Sequence, residues 1–176
     1  MALAEQSRLL SDWAVRSLHS NARDPSKILE IYSDGSFNAA SRIGGWAFIV
    51  LLAGDPIFEK NGYEPGMDNN RFELLAVTKA MAWIEANAKN MGVWLWTDSR
   101  HVVEGCYRWR KIWRNNGWHR ITANAHARRR SIPNALLWQE LDTLLIHNAS
   151  VEIQWCKGHA ETPGNIRADM LARQFT

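Results

Sequence analysis

Apolar runs alternate with polar turns along the chain in a way that separates strands from helices. Lys27–Ser33 (KILEIYS) reads as a strand, and Gly45–Ala53 (GWAFIVLLA) as a second, almost continuously apolar one. Gly54-Asp55-Pro56 turns the chain and Ile57–Tyr63 returns as a third strand, so the first three strands predict a meander. Asn69–Ala88 contains no Gly or Pro and places Phe72, Leu75, Ala76, Ala80 and Trp83 at helical spacing. Met91-Gly92 ends that helix, Val93–Thr97 (VWLWT) is a buried strand by composition, and helical material starts at Asp98-Ser99. After a stretch punctuated by Gly117 and Pro133, Asn134–His147 reads as an amphipathic helix and Val151–Cys156 as an alternating strand. Lys157–Gly164 reads as a loop and Asn165–Gln174 as a closing helix. The order βββ-α-β-α-α-α-β-α implies an α/β fold, a mixed sheet with helices packed on it. Upstream, Leu3, Leu10, Trp13, Ala14 and Leu18 share one helical face, and Arg23-Asp24-Pro25-Ser26 breaks the pattern. The chain therefore divides into an N-terminal extension, 1–26, and a domain, 27–176.

Composition narrows the class. A length of 176 residues suits one domain with a real core, and 46% apolar content excludes a disordered chain. Ten tryptophans are expected to anchor the core or line a groove. No apolar run approaches a membrane span. The first residues lack a continuous apolar segment and carry Glu5, Arg8, Asp12 and Arg16, which excludes a secretory signal. Cys106 and Cys156, with no C-x-x-C, read as reduced thiols of a cytoplasmic protein, although the sequence leaves a bond between them open. Charge is unevenly spread. Of 21 Lys and Arg, eight lie between Gly105 and Gln139, where there is no Asp or Glu; the 13 elsewhere face all 18 acidic residues. A basic segment on an otherwise acidic protein suggests a polyanionic partner.

The acids carry the chemistry. Asp34 follows the first strand and Asp98 the fourth; Glu73 lies in the first turn of the long helix and Asp169 in the last one. Each has a structural explanation. Asp34-Gly35 could be a hairpin turn, Asp98 or Ser99 a helix cap, Glu73 a partner of the helix dipole, and Asp169 an i,i+4 ion pair with Arg173. A sheet that brings the first and fourth strands together would instead gather all four. Such a cluster repels itself when buried and is tolerable with divalent cations, for which all-oxygen ligation suits Mg²⁺ or Mn²⁺. Two such ions about 4 Å apart are a recurring device for phosphodiester cleavage.

The segments "YSDGS…GGWA", "NNRFELLAV", "LWTDSRHVVEG", "WRNNGW", "LWQELD" and "WCKGHAETPGNIRADMLA" resemble type-1 ribonuclease H, from about Lys27 to Thr176. The resemblance implies a ribonuclease H-like fold, a five-stranded mixed sheet of order 3-2-1-4-5 with helices on both faces. It implies endonucleolytic hydrolysis of the RNA strand of RNA–DNA hybrids, with two Mg²⁺ (Mn²⁺ as a substitute), leaving 3′-hydroxyl and 5′-phosphate ends. The family's Asp–Glu–Asp–Asp set matches Asp34, Glu73, Asp98 and Asp169 as catalytic and metal-holding residues, and its mobile catalytic histidine matches His159. Its basic protrusion matches 107–133, where Trp109, Trp113 and Trp118 interleave with Arg108, Arg110, Lys111 and Arg114. The family's minor-groove contacts to 2′-hydroxyls match Gly35, Ser36, Asn69, Asn70 and Arg100, the last in place of a common Gln, and Asn165 joins the substrate-binding set. Ala40 and Asp68 depart from the family's DNA phosphate pocket, with Asn38, Ser41 or Arg42 as replacements, and Arg128-Arg129-Arg130 lie in an extended loop. Two alternatives stand beside a monomeric enzyme: a non-catalytic hybrid-binding module on the same fold, and the ribonuclease H portion of a reverse transcriptase.

Overall fold

The computed structural model describes residues 28–89, 91–158 and 162–176; the extension 1–26, with its expected helix, and His159 lie outside the described residues. Strands β1 (Leu29–Asn38), β2 (Ile43–Leu52) and β3 (Asp55–Pro65) form the antiparallel meander. Strands β4 (Val93–Thr97) and β5 (Val151–Trp155) add in parallel on the other side of β1, giving the order β3-β2-β1-β4-β5. The helices are α1 (Asn69–Asn87), α2 (Arg100–Glu104), α3 (Arg110–Asn115), α4 (Ala125–Arg128), α5 (Ala135–His147) and α6 (Pro163–Ala172). A π-helical turn, Gly105–Trp109, joins α2 to α3, and a 3₁₀ turn, Arg173–Phe175, follows α6.

Alternation along β1 explains the layers, because successive side chains point to opposite faces. Leu29 and Ile31 enter the main core with Phe48, Phe72, Leu74, Met81, Trp138 and Leu141, beneath α1 and α5. Tyr32 and Ile49 enter a smaller cluster with Ala168 of α6 on the opposite face. Full burial of each large apolar side chain contributes about 1.5–3 kcal/mol, so α1, with Phe72, Leu74, Val77 and Met81 at 0% exposure, is the main clamp on the sheet. Among the described residues no helix is long and apolar enough to cross a membrane.

One local expectation changes. Asp34-Gly35 does not turn the chain: β1 runs through it, pairing Asp34 with Ala47 and Gly35 with Trp46. The turn comes after Asn38, whose Oδ1 accepts from the backbone N–H of Ala40 (2.9 Å) and Ser41 (3.2 Å), and Arg42 closes it at φ 57°. Continuous pairing with β2 overrides the turn preference of the dipeptide. The last helix likewise starts at Pro163 rather than Asn165, since proline is pre-set for the first helical position.

Candidate active site

Pairing between the parallel strands β1 and β4 ends at Ser33 opposite Thr97. The next residue in each case is an aspartate, Asp34 still within β1 and Asp98 just past the end of β4. Neighbouring strands lie about 4.8 Å apart, so two carboxylates emerge side by side at the carboxyl edge of the sheet, where α/β proteins gather functional groups. Asp34 shares its face with Tyr32, which packs on Ala168, so it points toward the helix that carries Asp169. Glu73 arrives from α1. It stands in the second helical turn rather than the first, because Asp68 caps the helix by accepting from the Arg71 backbone N–H at 3.0 Å.

Glycine lets these elements meet. A Cβ at Gly35 would overlap the backbone of Phe72 and Glu73. The Gly35 N–H donates to Asp34 Oδ1 (2.8 Å) and to Glu73 Oε2 (3.3 Å), and Asn69 Nδ2 donates to Glu73 Oε1 (3.0 Å). Ser99, not Asp98, caps α2 by accepting from the Val102 N–H. Behind Asp98, the Trp155 indole N–H donates to its backbone carbonyl at 3.1 Å, and Gly158 leaves room for its carboxylate.

Carboxylate oxygens of Asp34, Glu73 and Asp98 lie within 4.8 Å of one another. They open onto a cavity of about 850 Å³ also lined by Asn69, Asn165, Asp169 and Arg173. Burial raises the pKa of Asp34 far above the usual carboxylate range; the charges of Glu73, Asp98 and Asp169 add to this, and the Gly35 N–H offsets part of it. Glu73 is raised by burial and then by Asp98, against the hydrogen bonds from Asn69 and Gly35. Asp169 is engaged differently: Arg173 Nε donates to its Oδ1 at 2.6 Å. Burial and then Asp98 push the neighbouring Cys156 thiol up to about 11, so it stays protonated at neutral pH. The all-oxygen donor set, the mutual repulsion and the burial fit hard divalent cations.

The expected substrate contacts fall into distinct groups. Gly35, Ser36, Asn69 and Asn165 line the cavity, whereas the exposed Asn70 does not. Arg100 lies over the Trp155 ring, 4.6 Å from its centroid. In the basic segment Trp109 stacks on Trp113 (6.3 Å between centroids), and Trp113 packs on the buried Trp138 (5.1 Å). Trp118 is half-buried against the core at φ 62°. Arg110 Nη1 donates to Asp142 Oδ1 at 2.7 Å and its Nε to the Cys106 carbonyl, while Arg114 meets Asp142 Oδ2 at 3.0 Å. Those two arginines thus hold the protrusion to the buried Asp142 of α5. Arg108, Lys111, Arg120 and Arg128–Arg130 remain exposed. Sequence reasoning missed Trp155, Gly158 and the cavity position of Arg173. The i,i+4 spacing of Asp169 and Arg173 signalled the pair but not its place.

A mixed sheet bearing a buried acidic centre at the end of its parallel strands, beside a cationic helical protrusion, defines an α/β protein built to handle a polyanion. The model of the RNase H family matches residues 26–176, and the chain belongs to that family. It is accordingly an enzyme, with ribonuclease H activity. The chain is 40% identical over 146 residues to a ribonuclease H of Bradyrhizobium sp. (strain ORS 278), covering 83% of this chain and 88% of that one. LC9-RNase H1, described as a type 1 RNase H with the type 2 active-site motif, superposes with a TM-score of 0.67 at 30% identity, over 86% of this chain and 72% of that one. The PFV RNase H domain shares the fold at 21% identity, with a TM-score of 0.67 over 83% of this chain and 92% of that one.

Proposed function

We propose that this enzyme hydrolyses the RNA strand of RNA–DNA hybrids at the Asp34–Glu73–Asp98 centre, in a divalent-cation-dependent reaction leaving 3′-hydroxyl and 5′-phosphate ends. The observation that carries this reading is the packing of three carboxylates, two of them buried, with their oxygens within 4.8 Å. A module that merely binds nucleic acid gains nothing from such a cluster, which repels phosphate.

Asp34 and Asp98 would hold the ions jointly, with Glu73 and Asp169 completing the two sites. Two Mg²⁺, or Mn²⁺ in their place, supply activation of the attacking water and charge stabilisation at the leaving 3′-oxygen. The protein's share is geometric. The sheet fixes Asp34 and Asp98, the Gly35 N–H orients two carboxylates at once, and Asn69 holds Glu73. Gly35 and Ser36 at the cavity wall, with Asn69 beside them, face the RNA minor groove, where a 2′-hydroxyl distinguishes RNA from DNA. His159, which precedes α6 in the sequence, is proposed to pass protons near neutrality. Arg108, Lys111 and Arg128–Arg130, with Trp109 and Trp113, would track the DNA strand.

The test is incubation with end-labelled RNA–DNA hybrid, double-stranded RNA and double-stranded DNA, with and without Mg²⁺. Cleavage confined to the RNA of the hybrid and abolished by chelation is expected. Cleavage that survives chelation, or that attacks double-stranded DNA equally, overturns the reading.

A further inference from the structure

We infer that Arg173 is a positioning residue that holds Asp169 away from the other three carboxylates until a phosphate draws its guanidinium off. The inference rests on the two-ion reading above and asks which partner Asp169 serves in the free enzyme. Asp34, Glu73 and Asp98 bring ligand oxygens within 4.8 Å; Asp169 lines the same cavity but is not part of that group. Its Oδ1 is held instead by Arg173 Nε at 2.6 Å.

Arg173 is anchored at its root and exposed at its tip. Thr176 Oγ1 donates to the Arg173 carbonyl at 3.4 Å and meets Ser36 Oγ at 3.0 Å. Phe175 packs on Tyr63 with 4.7 Å between ring centroids, and Asn61 Nδ2 donates to Gln174 Oε1 at 2.8 Å. The Arg173 side chain is 56% exposed and itself lines the cavity. Guanidinium groups bind carboxylate and phosphate with the same fork geometry. A dication and Arg173 therefore compete for Asp169, and Asp169 and an incoming phosphate compete for Arg173. Phosphate binding and occupation of the second ion site then favour each other, and the coupling is reciprocal.

The test is Mn²⁺ uptake by the full chain, read from the free-ion electron paramagnetic resonance signal. It is run without nucleic acid and with a double-stranded DNA duplex that offers no RNA to cut, after subtracting ions held by the duplex alone. Arg173→Gln should tighten the second Mn²⁺ about tenfold without duplex, within the usual range of such couplings. Arg173→Lys should stay near the parent. Arg167→Gln is the control: it removes one charge from α6, just before the 3₁₀ turn that carries Arg173, but from a pair with Glu59, and should change little. The duplex should tighten the second ion about tenfold in the parent and far less in Arg173→Gln. Unchanged uptake in Arg173→Gln, or an equal gain in Arg167→Gln, overturns the role of Arg173 alone. A parent that takes up no Mn²⁺ overturns the two-ion reading and this inference together.

Discussion

At the carboxylate centre like charges are forced together by rigid elements, whereas in the basic protrusion unlike charges hold a segment that has little core of its own. Asp34 and Asp98 directly follow the last paired residues of β1 and β4, and Glu73 stands on a helix whose neighbouring Phe72 is fully buried. Their repulsion persists because the surrounding core over-determines their positions. Helix α3 buries no residue fully. It is tied down by Arg110 and Arg114 on Asp142 and by Trp113 on Trp138. Its π-helical turn exists where Gly105 meets the Trp138 ring, and the following loop is closed by the His119–Ser131 bridge and the Ile132 N–H to Trp118 carbonyl bond. The difference teaches where each function resides. The proposed chemistry needs fixed geometry and would stand at the edge of the sheet. The proposed grip on a duplex needs reach and charge, and would stand on the outlying element.

Substitutions can break this contrast. Asp34→Asn should lower hybrid cleavage about a thousandfold, roughly 4 kcal/mol of transition-state stabilisation, while raising thermal stability in metal-free buffer by removing a carboxyl whose ionisation is opposed in the folded state by burial and its acidic neighbours; steady-state kinetics and calorimetry read the two arms. Asp142→Ala should destabilise the protein by about 2 kcal/mol, below the 3–5 kcal/mol of a fully buried pair because both arginines are partly exposed. Denaturant titration measures that loss, and turnover at saturating hybrid should stay within about twofold.

The folded-state pKa values of Asp34 and Glu73 are raised, so between the unfolded pKa near 4 and the raised values the folded state binds more protons. Stability without dications therefore falls as pH rises from about 4, by at least about 1 kcal/mol up to neutrality; flat stability from pH 5 to 7.5 would remove the electrostatic argument. The smallest effect belongs to the protrusion. Arg128–Arg130→Ala should leave saturating turnover unchanged and flatten the salt dependence of hybrid binding by up to about 2.7 in log–log slope, about 0.9 per lost phosphate contact. An unchanged slope would make the triplet a solvated surface.

Much of this was legible from the chain. Strands and long helices follow from period and composition, since Gly45–Ala53 and Asn69–Ala88 carry consistent patterns. The strand order came from resemblance to a family, not from periodicity; the four acids stood out by their places after strands and in helices, and the family's ordered set then matched them. What escaped was non-local. Asp34-Gly35 has turn chemistry, and only the register with β2 keeps it extended. Gly35 is required by a helix 38 residues away in sequence, through the Gly35–Glu73 contact. Arg110 and Arg114 look like surface cations until Asp142, 32 and 28 residues further along, is placed beneath them. Trp155 looks like one more core aromatic, yet its N–H reaches the Asp98 carbonyl across parallel strands.

The most direct measurement is thermal unfolding at pH 8 with and without Mg²⁺, on the parent and on Asp34→Asn. A tenfold excess of ion over its dissociation constant stabilises the native state by about 1.4 kcal/mol, or about 4 °C for a chain of this size. That rise is expected in the parent, with its near-disappearance in Asp34→Asn. Equal melting temperatures with and without Mg²⁺ in the parent, or an equal rise in both proteins, would contradict dication binding at the Asp34–Glu73–Asp98 centre.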